Sequence, residues 1–178
     1  MNTQNKSKRL KSISSWILQA LVLIIIFVII TWWQQKEMLS SNESLPAPSF
    51  VLPSLAGDTV SFPAMDSKGK TLLYFFAPWC RVCHLSVGNL QDVYERNSDK
   101  DLSIYLIALD WKEQNQIDDF VRQHSLTIPV LLGTDKISNA YKIQGFPSYY
   151  LISEENKIIA KDMGYSTEAG IIIRLLAN

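Results

Sequence analysis

Apolar and polar positions follow two regimes along the chain. Residues 16–33 are almost wholly apolar, interrupted only by Gln19 and Thr31, whereas beyond residue 49 apolar residues come in short runs between polar stretches. The run Leu-Leu-Tyr-Phe-Phe at 72–76 is short, aromatic and bounded by Pro78, which predicts a buried strand. Residues 102–109 are apolar almost throughout, as a parallel strand covered on both faces should be. Residues 50–52 and 59–62 predict two short strands around an Ala56-Gly57-Asp58 turn. Cys83, Val87, Leu90 and Tyr94 recur at i, i+4, i+7 and i+11, predicting a helix over 81–97. Ile117, Phe120, Val121 and His124 likewise mark one face of an amphipathic helix over 113–124. Then come a short strand at 128–132 and a helical turn at 138–143. Strands at 148–152 and 157–163 flank the polar connection Ser153-Glu154-Glu155-Asn156, and a closing helix at 167–177 turns Ile171, Leu175 and Leu176 inward. Strand–helix alternation followed by a hairpin implies an α/β domain with a mixed central sheet between helices.

The long apolar run is a different object. At 1.5 Å per residue, a helix over 16–33 spans roughly 27 Å, close to the hydrocarbon thickness of a bilayer. Trp16, Trp32 and Trp33 stand at its ends, where indoles favour the membrane interface. Residues 1–15 carry Lys6, Lys8, Arg9 and Lys11 and no acidic residue. That tail is therefore expected in the cytoplasm, with the rest of the chain across the inner membrane in the periplasm or its equivalent. A cleaved signal peptide is the competing reading, but Thr31-Trp32-Trp33-Gln34-Gln35 is a poor substitute for a small-x-small cleavage site. A lipoprotein is excluded, since no cysteine lies near the run. Residues 34–48, with Ser40, Ser41, Asn42, Ser44, Pro46 and Pro48, read as a tether, and 49–178 is a comfortable size for one domain. A formal net charge of zero gives no reason to expect nucleic acid as a partner.

Candidate chemistry sits at the end of the 72–76 strand, where the only two cysteines, Cys80 and Cys83, form a C-x-x-C pair at the start of a helix. Unpaired N–H groups and the positive end of the helix dipole favour a thiolate there, and such surroundings bring a thiol from about 8.5 to roughly 3.5–7.5. Arg81 adds a cation beside Cys80. Cys80 precedes the helix and is the expected nucleophile, while Cys83 lies on the inward face and suits a resolving role. A purely structural staple is the alternative, but a bridge over so short a loop removes little unfolded-state entropy.

Trp79-Cys80-Arg81-Val82-Cys83 after an apolar strand resembles the thioredoxin superfamily, and a second segment carries the resemblance further. Tyr141-Lys142-Ile143-Gln144-Gly145-Phe146-Pro147-Ser148, followed by a strand, is similar to the thioredoxin segment whose proline is cis and packs beside the dithiol. The resemblance covers residues 49–178. It implies a thioredoxin fold with an added N-terminal strand pair, a redox-active Cys80–Cys83 disulfide and a cis Phe146–Pro147 bond. It further implies that Trp79, Phe146 and Pro147 position substrate, and that the activity is thiol–disulfide exchange with protein substrates. The anchor, the strand pair and Leu126-Thr127-Ile128-Pro129-Val130-Leu131-Leu132 are similar to membrane-anchored TlpA- and ResA-type proteins. The C-terminal Met163-Gly164-Tyr165-Ser166 through Arg174-Leu175-Leu176 looks closest to the suppressor for copper sensitivity protein D branch. That likeness implies a reductase acting on misoxidised or apocytochrome c thiols or in copper-stress repair, recharged by a membrane electron-transfer partner, with no cofactor.

The chain departs from the family at two positions. Tyr74 stands where thioredoxin keeps a buried aspartate, and Ser86 where ResA-like reductases carry a glutamate. Asp110, at the end of the 102–109 strand, is the nearest remaining acid/base candidate, against a plain reading as a helix N-cap or turn residue. Cys80-Arg81-Val82-Cys83-His84 also matches C-x-x-C-H haem attachment, with His84 as axial ligand. The strand and Trp79 before it, and the second half after it, argue against a small cytochrome. Two thiolates could hold Cu(I), although Met38, Met65 and Met163 are scattered and no second C-x-x-C accompanies them. A disulfide oxidase or isomerase of the same fold and a non-enzymatic Cu(I)-binding protein are the alternatives to a reductase.

Overall fold

The computed structural model describes residues 16, 18–26, 29, 38–39, 46–63, 69–97 and 102–177. The chain divides into two units, Met1–Glu37 and Met38–Asn178. In the first, residues 16, 18–26 and 29 are helical and expose their side chains. Among the described residues no helix is long and apolar enough to cross a membrane; the remainder of the expected 16–33 span, and the 1–15 tail, lie outside them.

The second unit is built on strand β3 (Lys70–Phe76). Every side chain from Thr71 to Phe76 is buried, because both faces of the strand are covered. Its neighbours are β4 (Leu102–Ala108), parallel, and β6 (Ser148–Ile152), antiparallel; β5 (Val130–Leu132) and β7 (Ile158–Met163) close the sheet in the order β5-β4-β3-β6-β7. β1 (Phe50–Pro53) and β2 (Thr59–Phe62) form a separate antiparallel pair, joined to the sheet through the Ser54–Leu131 bridge. The thioredoxin-like α/β fold with a mixed sheet and an added strand pair is thus present.

Period-two alternation sorts the strand side chains into two cores. Leu72, Tyr74, Phe76, Leu106 and Leu151 pack with Cys83, Val87 and Leu90 of α1 (Arg81–Arg96) and Ile117 and Phe120 of α2 (Gln114–Gln123). Leu73, Phe75, Tyr150 and Ile152 pack on the opposite face with Ile137 of α3 (Asp135–Ala140), Tyr141, Phe50 and Phe62. α4 (Glu168–Ala177) contributes Ile171 to the first core, but Leu176, expected to face inward, is 81% exposed. A ten-residue closing helix rests on one narrow stripe, and Leu176 falls off it.

Two segments of the expected tether are part of the domain. Met38 and Ala47 are buried in the second core, the Leu39 amide donates to the Tyr150 hydroxyl at 3.1 Å, and Pro46 bridges Lys157. The helical turn expected at 138–143 begins earlier, at Asp135. Gly133 cannot be replaced without rearrangement: a Cβ there would lie 2.6 Å from the Ala108 carbonyl oxygen, to which the Gly133 amide donates at 2.9 Å. That close approach holds the chain as it leaves β5 beside the end of β4. The parallel strands β3 and β4 deliver the cysteine turn and Leu109–Asp110 side by side, and the Leu109 amide donates to the Phe76 carbonyl at 2.8 Å.

Candidate active site

Cys80 leaves β3 through the turn Ala77–Trp79, closed by its own amide donating to the Ala77 carbonyl at 3.0 Å. It is the N-cap of α1, with extended backbone, and its Sγ accepts from the Cys83 amide at 3.1 Å. A sulfur at an N-cap replaces the usual hydroxyl or carboxylate oxygen, so the helix N–H groups solvate it. Cys80 and Cys83 are joined as a disulfide with Cα atoms 5.2 Å apart. Cys83 is fully enclosed, whereas Cys80 retains 5% exposure and faces a cleft of about 400 Å³. That difference decides which sulfur a partner can reach.

The cleft is lined by Trp79, Cys80, Leu109, Asp110, Ile143 and Phe146, among others. Trp79 is 63% exposed and is held by its edge: Nε1 donates to the Asp110 carbonyl at 3.0 Å and to Oδ2 at 3.1 Å. Phe146 meets the indole edge-on at 5.9 Å, and the Phe146–Pro147 peptide is cis. The Pro147 carbonyl accepts from Gly164 N–H at 2.8 Å. Arg81 is exposed at the first residue of α1. Trp79, Cys80, Asp110 and Phe146 therefore share one cleft, while Cys83 lies beneath it and Arg81 is not among the lining residues.

Asp110 has a left-handed backbone, φ 49°, in the turn after β4. The N-cap of α2 is instead Glu113, whose amide donates to Gln116 Oε1 at 3.2 Å. So Asp110 caps no helix; its carboxylate accepts from Trp79. Below the dithiol, Tyr74 and Ser86 are hydrogen-bonded at 2.7 Å, and the Ser86 hydroxyl donates to the Val82 carbonyl at 3.0 Å. With the serine hydrogen spent on Val82, the phenol must donate to Ser86 Oγ. Burial pushes the Tyr74 phenol well above the ordinary tyrosine range, the Ser86 contact opposing it. The pocket at the two positions where the family carries carboxylates is neutral and closed.

Two histidines complete the surroundings. His84 Nδ1 lies 2.8 Å from His124 Nε2, and His84 Nε2 lies 2.9 Å from the Pro78 carbonyl oxygen. Burial, and then the neighbouring His84, hold His124 below the ordinary histidine value. Sequence reading placed His84 in the first helical turn and His124 on an inward face, but nothing in their spacing of 40 residues says that they meet. Among the described residues no group of three or more His, Cys, Asp or Glu side chains could hold a metal ion.

Residues 44–161 match the family model described as the AhpC/TSA family, and the chain belongs to that family. It is 31% identical over 125 residues to the thiol-disulfide oxidoreductase ResA of Bacillus cereus, covering 68% of this chain and 70% of that one. It is 28% identical over 138 residues to the thioredoxin-like protein YneN of Bacillus subtilis, covering 75% and 78%. The crystal structure of a DsbF homologue from Corynebacterium diphtheriae superposes with a TM-score of 0.69 at 20% identity, covering 79% of this chain and 91% of that one. With this fold, a Cys80–Cys83 disulfide at the head of α1 and ResA-type relatives, the protein is a thiol–disulfide oxidoreductase.

Proposed function

We propose that the protein is a membrane-anchored reductase of protein disulfides working outside the cytoplasm, with Cys80 as its attacking sulfur. The observation that carries the reading is the asymmetry of the pair: Cys80 reaches the cleft at a helix N-terminus, and Cys83 is sealed behind it. In the reduced enzyme the Cys80 thiolate attacks one sulfur of a substrate disulfide. The substrate S–S bond breaks, its other sulfur leaves as a thiolate, and a mixed disulfide forms. Cys83 then loses its proton and attacks Cys80 Sγ, releasing the second substrate thiol and leaving Cys80–Cys83 oxidised. A dithiol of a membrane electron-transfer partner returns the two electrons. Trp79 and Phe146 wall the cleft and, with Pro147 joined to Phe146 by a cis bond, hold the substrate backbone, and Arg81 favours the Cys80 thiolate.

Reduction is the favoured direction because the resemblance to ResA-type reductases outweighs Arg81, whose charge stabilises the reduced form and so makes the couple more oxidising. The anchor rests on the apolar run 16–33 and its basic flank, and the substrates on the resemblance: misoxidised protein thiols, apocytochrome c thiols or disulfides formed under copper stress.

The test is the reduction potential of the Cys80–Cys83 couple in the full chain, equilibrated against dithiol buffers. A value of about −250 mV or lower is expected, and about −150 mV or higher would make it an oxidase or isomerase. Cys80→Ser should abolish turnover, and Cys83→Ser should accumulate a covalent substrate complex. An active Cys80→Ser enzyme would overturn the mechanism.

A further inference from the structure

The chain holds only two histidines, and they are hydrogen-bonded to each other beside the cysteine turn. Their protonation can be worked out from their partners. The Pro78 carbonyl can only accept, so His84 Nε2 carries a hydrogen. A neutral His84 then presents a bare Nδ1, and His124 Nε2 must supply the hydrogen between the rings. His124 Nδ1 is left as the basic nitrogen of the pair. One proton adds there with both hydrogen bonds intact. A second would have to enter His84 Nδ1, facing the N–H of a cation. The pair therefore holds one positive charge or none.

Helix ends favour this division. His124 is the C-cap residue of α2, where a cation meets the negative end of the dipole, while His84 in the first turn of α1 is better neutral. Phe120 packs against both rings, at 4.6 and 4.9 Å between centroids. His84 also grips the cysteine turn twice: its ring holds the Pro78 carbonyl, and its amide donates to the Cys80 carbonyl at 3.1 Å.

We propose that His84 and His124 form a one-proton dyad in which His84 positions the Pro78–Cys80 turn and the charge gained by His124 at low pH stabilises the Cys80 thiolate. The inference rests on Cys80 being the attacking thiol. The charged and ionisable groups on the elements that meet here are few. α1 carries Arg81 near the pair, exposed; α2 carries Asp119 and Arg122, exposed and paired with each other, and Asp118, which lines a separate cleft beside β5. β3 presents Tyr74, kept un-ionised by burial and hydrogen-bonded to Ser86, and the turn contributes Cys80 itself. No carboxylate among the described residues is hydrogen-bonded to either ring.

Linkage supplies a test on the unaltered protein. If the dyad's charge stabilises the thiolate, the thiolate raises the dyad's proton affinity by the same factor. With histidine-labelled full-length chain in detergent, imidazole NMR titrations are compared between the oxidised protein and protein reduced with excess dithiothreitol. Proton affinity about threefold higher in the reduced form is expected, as for a charge partly screened by solvent. Equal midpoints would overturn the proposal. In parallel, iodoacetamide alkylation of reduced wild type and His124→Gln is followed with pH, and the labelled cysteine is identified by mass spectrometry. Wild-type Cys80 should react about threefold faster near pH 5.5, with the profiles converging above the ordinary histidine range. Superimposed profiles with Cys80 labelled refute the dyad alone. A label on Cys83 instead refutes the premise that Cys80 attacks, and the dyad's role with it.

Discussion

Two polar pairs flank the start of α1, and burial separates their roles. Tyr74 and Ser86 lie under the helix in the first core, where each hydrogen is committed: the phenol to the serine, the serine to Val82. His84 and His124 lie on another side of the same helix, half-buried, with one nitrogen left to accept a proton. Ser86 and His84 are two positions apart, which places them on different faces of the helix. In the dry pocket a polar pair is stable only if it is fully satisfied and uncharged. At the half-open edge a pair can change its charge. At the positions matched to the family's carboxylates, Tyr74 and Ser86 thus form a closed, uncharged pair, and the two histidines stand outside that pocket.

The largest effect should come from forcing charge into the neutral pair. Ser86→Glu with Tyr74 retained is expected to cost about 3 kcal/mol or more at neutral pH, measured by urea unfolding. The buried carboxyl would have a raised pKa in the folded state, so part of the loss should return on acidification through that value. A variant as stable as wild type at neutral pH would show that the pocket admits charge and erase the contrast. Next comes Ser86→Ala, which strands the Tyr74 hydroxyl and should cost about 1–3 kcal/mol. A thermal midpoint lower by several degrees is the expected readout, with the pH profile of thiol alkylation unmoved. A shifted profile would give Ser86 a part in proton transfer.

The smallest effect belongs to the histidines. His124 has a folded-state pKa below its ordinary value, so the unfolded chain binds a proton first as pH falls. Stability of the oxidised protein should therefore be fully present above the ordinary histidine range, near 6.5, and decline modestly as pH drops through it. Solvent screening at the half-open site keeps the loss small. His124→Gln should remove this component, as followed by urea midpoints across pH, whereas an unchanged acid slope would place the component elsewhere.

The catalytic end of the molecule was the most legible part of the sequence. Cys80 and Cys83 announce themselves by type and spacing, and the aromatic run before them is a strand buried on both faces. The partners of that turn were not legible. Asp110 was weighed as a helix cap or an acid, yet it receives the Trp79 indole, because β3 and β4 end side by side. Residues 34–48 look like a tether by composition, but Met38 and Ala47 fill gaps beside Tyr150 and Phe50 that no local pattern discloses. Leu176 satisfies a helical period and still faces outward, since helix rotation is set by the surface it meets.

By itself the amino-acid sequence determined the α/β alternation, the order of the strands along the chain and the dithiol at a helix start. These follow from local periodicity, backbone preference and the chemistry of two cysteines. Tertiary structure alone decided that Tyr74 and Ser86 hydrogen-bond to each other and that His84 and His124 meet across 40 residues. It also decided that the cleft at Cys80 is lined by Trp79, Leu109, Asp110 and Phe146. Such contacts depend on the crossing of elements whose own patterns are silent about it, and burial then sets which groups can carry charge.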